Sequence, residues 1–257
     1  MLATVVALSA GGVLITIAKP LLFVAGAAVV AVSITAFGWV SLRRGVPDQE
    51  RRDAGGARAA ARTLVELVRE RAELRAFFAA NALWELSLAA LKTFVILYIT
   101  KSLGKPVSDA SLIVGAVAVI VLVASPVSGK AGDRFGRARI MLWTLLIYGI
   151  GLLVPFATTS TTVLVPVLVI VAFGGGVVMT LPYALLMPMM PEEEHGALTG
   201  FYSVSRGVGV ALGPAIAGLA IQLAGRDYRA MWLVCGTAIL VSVPFTRRLR
   251  HEDADAP

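Results

Sequence analysis

Uninterrupted apolar stretches of membrane-crossing length recur along this chain, and they leave little choice of fold. They run over residues 2–18, 21–42, 76–100, 110–128, 140–157, 163–190, 197–223 and 230–246. About 20 helical residues cross the hydrocarbon core of a bilayer. Inside that core every backbone N–H and C=O needs an internal partner, which restricts the spanning structures to helices and closed barrels. Barrel strands alternate apolar and polar residues, whereas these runs are continuous. The balance of residues agrees, with 58% hydrophobic and 15% charged over 257 residues, where a soluble domain carries roughly 25% charged. The expected fold class is all-α, a polytopic membrane protein with about eight transmembrane helices.

The first run is expected to stay as a span. Ala7-Leu8-Ser9-Ala10 has the small residues of a signal-peptide cleavage site, but no positive segment precedes it and the apolar run continues beyond it.

The net charge of +7 does not imply a nucleic-acid partner. The Lys and Arg residues sit in short gaps between apolar runs, as membrane topology requires, and form no basic face on a soluble module. Nine Arg lie in residues 43–75, and Lys130, Arg134, Arg137 and Arg139 lie in the gap after the fourth run. Arg247, Arg248 and Arg250 close the chain. With eight spans all of these fall on one side, against Lys19, Lys101, Lys105, Arg226 and Arg229 on the other. The positive-inside rule then places both termini in the cytoplasm, with Arg226 and Arg229 as basic residues on the poorer side. The expected location is a bacterial inner membrane.

Other chemistries find no support in the sequence. Cys235 is a single cysteine, so no disulfide within the chain and no thiolate metal cluster is expected. His195 beside Glu192–Glu194 lacks the convergent ligands a metal site needs. No P-loop is present, and no nucleophile–base pair suggests an enzyme. Neither a cofactor nor a metal is expected.

Residues 43–75 divide in two. Residues 45–56 are polar, with Pro47 and Gly55-Gly56, and should be irregular. Residues 57–73 interleave Leu64, Leu67 and Val68 with Arg62, Glu66, Arg69 and Glu70, the pattern of an amphipathic helix feeding the third span.

The gap between the fourth and fifth runs reads Gly129-Lys-Ala-Gly-Asp133-Arg134-Phe-Gly136-Arg137-Ala-Arg139. Gly129 is expected to end one helix and admit a close neighbour. Asp133 is expected near the start of the next, where the backbone dipole favours a negative charge. Gly136 permits a sharp turn or tight packing. The Arg residues can pair with Asp133, or with acids and helix C-termini across the cytoplasmic face. Gly129, Asp133, Arg134, Gly136, Arg137 and Arg139 would form a charged cytoplasmic clasp, made or broken as helices rock.

This stretch resembles the signature loop of the major facilitator superfamily, G-x-x-x-D-R-x-G-R-[RK]. Gly129, Asp133, Arg134, Gly136 and Arg137 match; Ala138 occupies the usual basic place and Arg139 follows it. Residues 190–196 with 200–214 are similar to the loop and helix joining spans ten and eleven of many facilitators. There Gly209, Gly213 and Gly218 suit close, sliding packing and Pro214 can kink the helix. The first span lacks the Gly-Pro pair seen in some drug/proton antiporters.

The resemblance implies helices five to twelve of a twelve-helix transporter. Residues 1–42 would be two helices of the N-terminal half and residues 43–75 the cytoplasmic linker. Residues 76–246 would be the C-terminal six-helix bundle, and residues 247–257 a tail. The implied partners are the lipid bilayer, a small-molecule substrate with a proton as candidate co-substrate, and a four-helix N-terminal portion. The implied function is secondary transport of a small solute by alternating access, coupled to a proton or other ion gradient. The alternative is a non-transporting scaffold or inactive fragment derived from a facilitator.

An ionisable residue at the centre of a span costs about 2.5–3.5 kcal/mol to insert, so such residues are functional candidates. Glu85, Lys92 and Arg206 qualify. Glu85 and Arg206 each lie nine residues into their runs, about 13 Å along a helix, and could meet across the bundle. Glu85 and Lys92 share a helix face about 10 Å apart along the axis. Glu85 is the candidate proton carrier or substrate ligand. Asn81, Ser87 and Tyr183 are candidate polar cavity residues, or else they make hydrogen bonds between helices, which is the more common use of such residues. Gly174–Gly176 with Pro182 suggests either a softened or broken helix beside a site or close helix packing.

Overall fold

The computed structural model describes residues 68–189 and 195–249, together with residue 35. The chain divides into two compact units, Met1–Val65 and Glu66–Pro257, and the architecture below is that of the second. The expected span over residues 2–18, that over residues 21–42 apart from residue 35, most of the linker, Glu192–Glu194 and the tail beyond residue 249 lie outside the described residues.

Six long helices follow one another: α1 (Ala72–Leu97), α2 (Val107–Phe135), α3 (Arg137–Ala157), α4 (Thr161–Leu186), α5 (His195–Leu223) and α6 (Ala230–Arg248). No strand occurs among the described residues. All six are long and apolar enough to cross a membrane, and they coincide with the last six expected spans. A π-helical turn, Tyr98–Ser102, prolongs α1. The chain is helical over residues 68–70, is extended at Arg71 and enters α1 at Ala72. The amphipathic helix expected to run through Glu73 therefore breaks at Arg71, and α1 takes up Glu73 in its own first turn, where the helix dipole favours an acid.

α1 packs on α5 and α6, α3 on α6 and α4, and α2 chiefly on α4. The core lies where these seams meet, with Phe77, Trp84, Met141, Leu145, Tyr148, Met231 and Ile239 almost fully buried. Trp84 donates its indole N–H to Ser242 Oγ at 2.8 Å, tying α1 to α6. Leu112, Trp143, Val204 and Leu223 are more than half exposed. In water such a surface would be a liability. Against lipid tails it is the surface a helical span must present.

Gly174–Gly176 lies in an unbroken helix, since α4 runs continuously from Thr161 to Leu186 through these residues and Pro182. Close packing is the reason for the glycines. A Cβ on Gly174 would stand 2.8 Å from Tyr148 Cβ, and one on Gly176 would stand 2.6 Å from Ala124 Cβ. Beside that contact Ser125 and Thr180 share a hydrogen bond of 2.8 Å between α2 and α4.

Candidate functional site

α1 and α5 approach to backbone contact, and this brings polar side chains within a membrane-spanning seam together. A Cβ on Gly209 would collide with the carbonyl oxygen of Ala82, and one on Gly213 with that of Leu86. Gly218, the third small residue of the expected stripe, is less constrained, with Phe94 Cζ 3.4 Å from its Cβ position.

Two side-chain pairs cross this seam. Asn81 is 1% exposed and donates Nδ2 to Ser205 Oγ at 2.8 Å, while its Oδ1 has no hydrogen-bond partner among the described residues. One turn further along α1, Glu85 Oε1 lies 3.1 Å from Arg206 Nε. The carboxylate side is largely enclosed, at 13% exposure, and the guanidinium side is open, at 55%.

Aromatic rings flank the pairs. Tyr202 lies four residues before Arg206, on the same face of α5. Its ring stands 6.3 Å from that of Phe77 and 5.8 Å from that of Tyr183 on α4. Asn81, Glu85, Arg206 and Tyr183 thus fall in one cluster with Ser205 and Tyr202. Sequence reasoning missed Ser205 and Tyr202; the signal available was helical spacing, which sets Tyr202 beside Arg206 and Ser205 beside Gly209. Lys92 is exposed and takes no part in the ion pairs among the described residues. Ser87 is fully buried away from this cluster, with its carbonyl 3.5 Å from Cys235 Sγ on α6.

The Gly129–Arg139 stretch is mostly helix. α2 continues to Phe135, α3 starts at Arg137, and Gly136 alone makes the turn, at φ 88°. That backbone lies outside the region open to L side chains, so glycine is required there. Asp133 is therefore in the last turn of α2, and not at the start of the next helix as expected. A carboxylate is disfavoured at a helix C-terminus. Arg137 compensates it, with Nε 3.1 Å and Nη2 2.8 Å from Asp133 Oδ1. Its remaining Nη1 donates to the carbonyl of Ala184 at 2.9 Å. One side chain from α3 thus joins the ends of α2 and α4.

The close approach expected at Gly129 occurs at Gly132 instead. A Cβ on Gly129 would meet nothing within 4 Å, whereas one on Gly132 would stand 3.2 Å from Arg137 Cγ and 3.3 Å from Leu181 Cδ2. α2 does not end at Gly129, so that residue stays on an open face. Arg134 lies 5.3 Å from the centre of the Phe135 ring, and Arg139 is exposed. Neither pairs with a carboxylate among the described residues. No group of His, Cys, Asp and Glu among the described residues is arranged to hold a metal ion.

The sequence model of the Major Facilitator Superfamily matches residues 77–257. The chain is 27% identical over 179 residues to the triacylglyceride transporter of Mycobacteroides abscessus, covering 66% of this chain and 35% of that protein. It is 27% identical over 124 residues to the putative multidrug resistance protein MdtD of Klebsiella pneumoniae, covering 48% of this chain and 26% of the relative. Among solved structures, it is similar to a bacterial homologue of the iron transporter ferroportin. The outward-facing state gives a TM-score of 0.60 over 70% of this chain and 46% of that one, at 18% identity. The inward-facing state gives 0.58 over 69% and 45%, also at 18% identity. This chain spans about a third of the length of the first of these relatives.

Proposed function

Because the chain belongs to the Major Facilitator Superfamily, we propose that it works as part of a secondary transporter that moves a small solute by alternating access, coupled to a proton or another ion gradient. The observation that carries this reading is the Glu85–Arg206 pair, a carboxylate and a guanidinium 3.1 Å apart within spans α1 and α5. A charge pair at that position is costly to insert and is retained where ions or substrates pass. Protonation of Glu85 releases Arg206 to a substrate group, and loss of the proton restores the pair. Proton movement and solute binding are then coupled at one place. Asn81, Ser205, Tyr202 and Tyr183 supply the polar and aromatic lining.

Arg137 gives the second half of the mechanism. Its bonds to Asp133 and Ala184 act as a latch at the signature-loop end of the bundle, which the positive-inside rule assigns to the cytoplasm. The latch and the polar cluster adjoin on α4, where Ala184 follows Tyr183. The similar match to inward-facing and outward-facing structures, 0.58 and 0.60, accords with six helices that keep their packing while larger bodies rock.

Vesicles from cells producing the chain test this reading, with internal pH followed as solutes are added. Solute-dependent proton flux that disappears in Glu85→Gln supports it. Flux with the same pH dependence in Glu85→Gln removes Glu85 as the coupling group. Absence of any solute-dependent flux, with the chain folded in the membrane, removes transport by this chain.

A further inference from the structure

At the end of the bundle opposite the signature loop, three connections converge on a basic cleft. Lys101 and Ser102 come from the π-turn after α1, Thr159 from the connection between α3 and α4, and Arg226, Asp227 and Arg229 from that between α5 and α6. It is an open depression of about 350 Å³, and Lys101, Thr159 and Arg226 are exposed in it. It sits where the spans end, between Leu223 and Ala230 on one side and after Ser102 on another.

The charges in the cleft do not cancel. Asp227 is fully engaged by Arg229: Oδ1 accepts from the Arg229 backbone N–H at 2.9 Å, and Oδ2 accepts from Nε at 2.9 Å and Nη2 at 2.7 Å. The ion pairs among the described residues leave Lys101 and Arg226 without a carboxylate. Arg226 stands on a backbone at φ 68°, after Gly225 at the same φ. A non-glycine residue in this left-handed region costs roughly 1–2 kcal/mol. Its N–H closes on the Ile221 carbonyl at 2.8 Å, so the guanidinium is carried on a fixed turn. α2, α4 and α6 begin at this end and α1, α3 and α5 end there, so the helix dipoles offset one another and the positive potential comes from the side chains.

We infer that this cleft binds a phosphate group, held by Lys101 and Arg226 with the hydroxyls of Ser102 and Thr159 as further donors. Arg229 stays with Asp227 and forms the wall. The position at the ends of the spans suits the phosphate of an anionic lipid headgroup, and the same chemistry accepts a free phosphate. The site also gives the two arginines on the poorer side of the charge asymmetry a task other than topology.

The test titrates phosphatidylglycerol into the purified full chain in a neutral detergent and reads bound lipid by native mass spectrometry. Lys101→Gln with Arg226→Gln should weaken binding at least about tenfold, as expected from losing charge-assisted hydrogen bonds to the phosphate. Arg248→Gln, at the far end of α6, should leave binding unchanged. Asp227→Asn should tighten binding several-fold, because it removes the one negative charge of the cleft. Competition by millimolar inorganic phosphate identifies a free phosphate as a ligand, and its failure identifies the headgroup; either supports the site. Equal affinity in wild type and the double variant overturns the proposal. So does weaker binding by a folded Asp227→Asn chain, which can be read even if the double variant does not fold.

Discussion

Arg137 Nη1 donates to the carbonyl oxygen of Ala184 at 2.9 Å while the same guanidinium holds Asp133 Oδ1. A planar fork reaches a carboxylate and a carbonyl together, whereas a lysine ammonium is a single point of charge. Arg137→Lys should therefore preserve the fold and lower solute flux about tenfold, equivalent to about 1.4 kcal/mol on the limiting step. Flux at the wild-type rate in Arg137→Lys would show that the latch does not gate transport.

Glu85 and Arg206 should behave as one unit. Residues in direct contact show coupling energies of roughly 0.5–3 kcal/mol. Unfolding of Glu85→Gln, Arg206→Gln and the double variant in detergent should give a coupling in that range. Additive effects would mean that the pair is not made in the folded protein in solution.

The glycines of α5 separate by their surroundings. Gly213→Val places side-chain atoms against the Leu86 backbone and should lower the unfolding temperature by several degrees, in line with the roughly 1–3 kcal/mol cost of overpacking. A Cβ on Gly207 meets nothing within 4 Å, so Gly207→Ala should be neutral or stabilising by up to about 1 kcal/mol through helix propensity. Equal effects at the two positions would contradict the close approach of α1 and α5.

Orientation is open to cysteine labelling, because Cys235 is fully buried and should not react. With an impermeant maleimide applied to whole cells, Ser160→Cys should label and Ala54→Cys should not. The reverse pattern overturns the cytoplasmic assignment of the signature loop.

The Asp227–Arg229 pair lies outside the spans and predicts a pH dependence. Hydrogen bonds from the Arg229 side chain, then from its backbone N–H, hold the Asp227 carboxyl below the usual carboxylate range. A depressed folded value means the contribution is complete above the unfolded value, about 3.9, and is lost as pH falls through the folded one. Solvent screening limits it to about 1 kcal/mol. The stability difference between wild type and Asp227→Asn should be constant from neutral pH to about pH 5 and shrink below that. A difference that grows on acidification would contradict the assignment.

Much of the fold was legible because lipid simplifies the problem. Since a bilayer forces each run to satisfy its own backbone, the last six apolar runs and the six helices coincide within a few residues, except at the end of α2, which continues past residue 128 to Phe135. The candidate site was less legible. Glu85 and Arg206 stand out as charges in apolar runs, but Ser205 and Tyr202 are ordinary residues until α5 is laid on α1. In the signature stretch, Gly136 was open to a turn or to tight packing, and the structure shows the turn. The stretch was misread for Gly129 and Asp133, because α2 continues to Phe135 and the pattern of glycines alone does not say which one meets a neighbour.

The amino-acid sequence by itself determined that this chain spans a membrane through helices, where the last six run, and which charges lie within them. Hydrophobic length and the cost of unpaired polar groups suffice for that. Only the tertiary structure decided that Glu85 meets Arg206 while Lys92 stands apart, that Gly132 seats the signature arginine, and that Gly174–Gly176 is a packing surface. Those outcomes depend on how the helices are rotated and how closely they approach. Small residues permit that approach, but the partner on the facing helix determines where it happens.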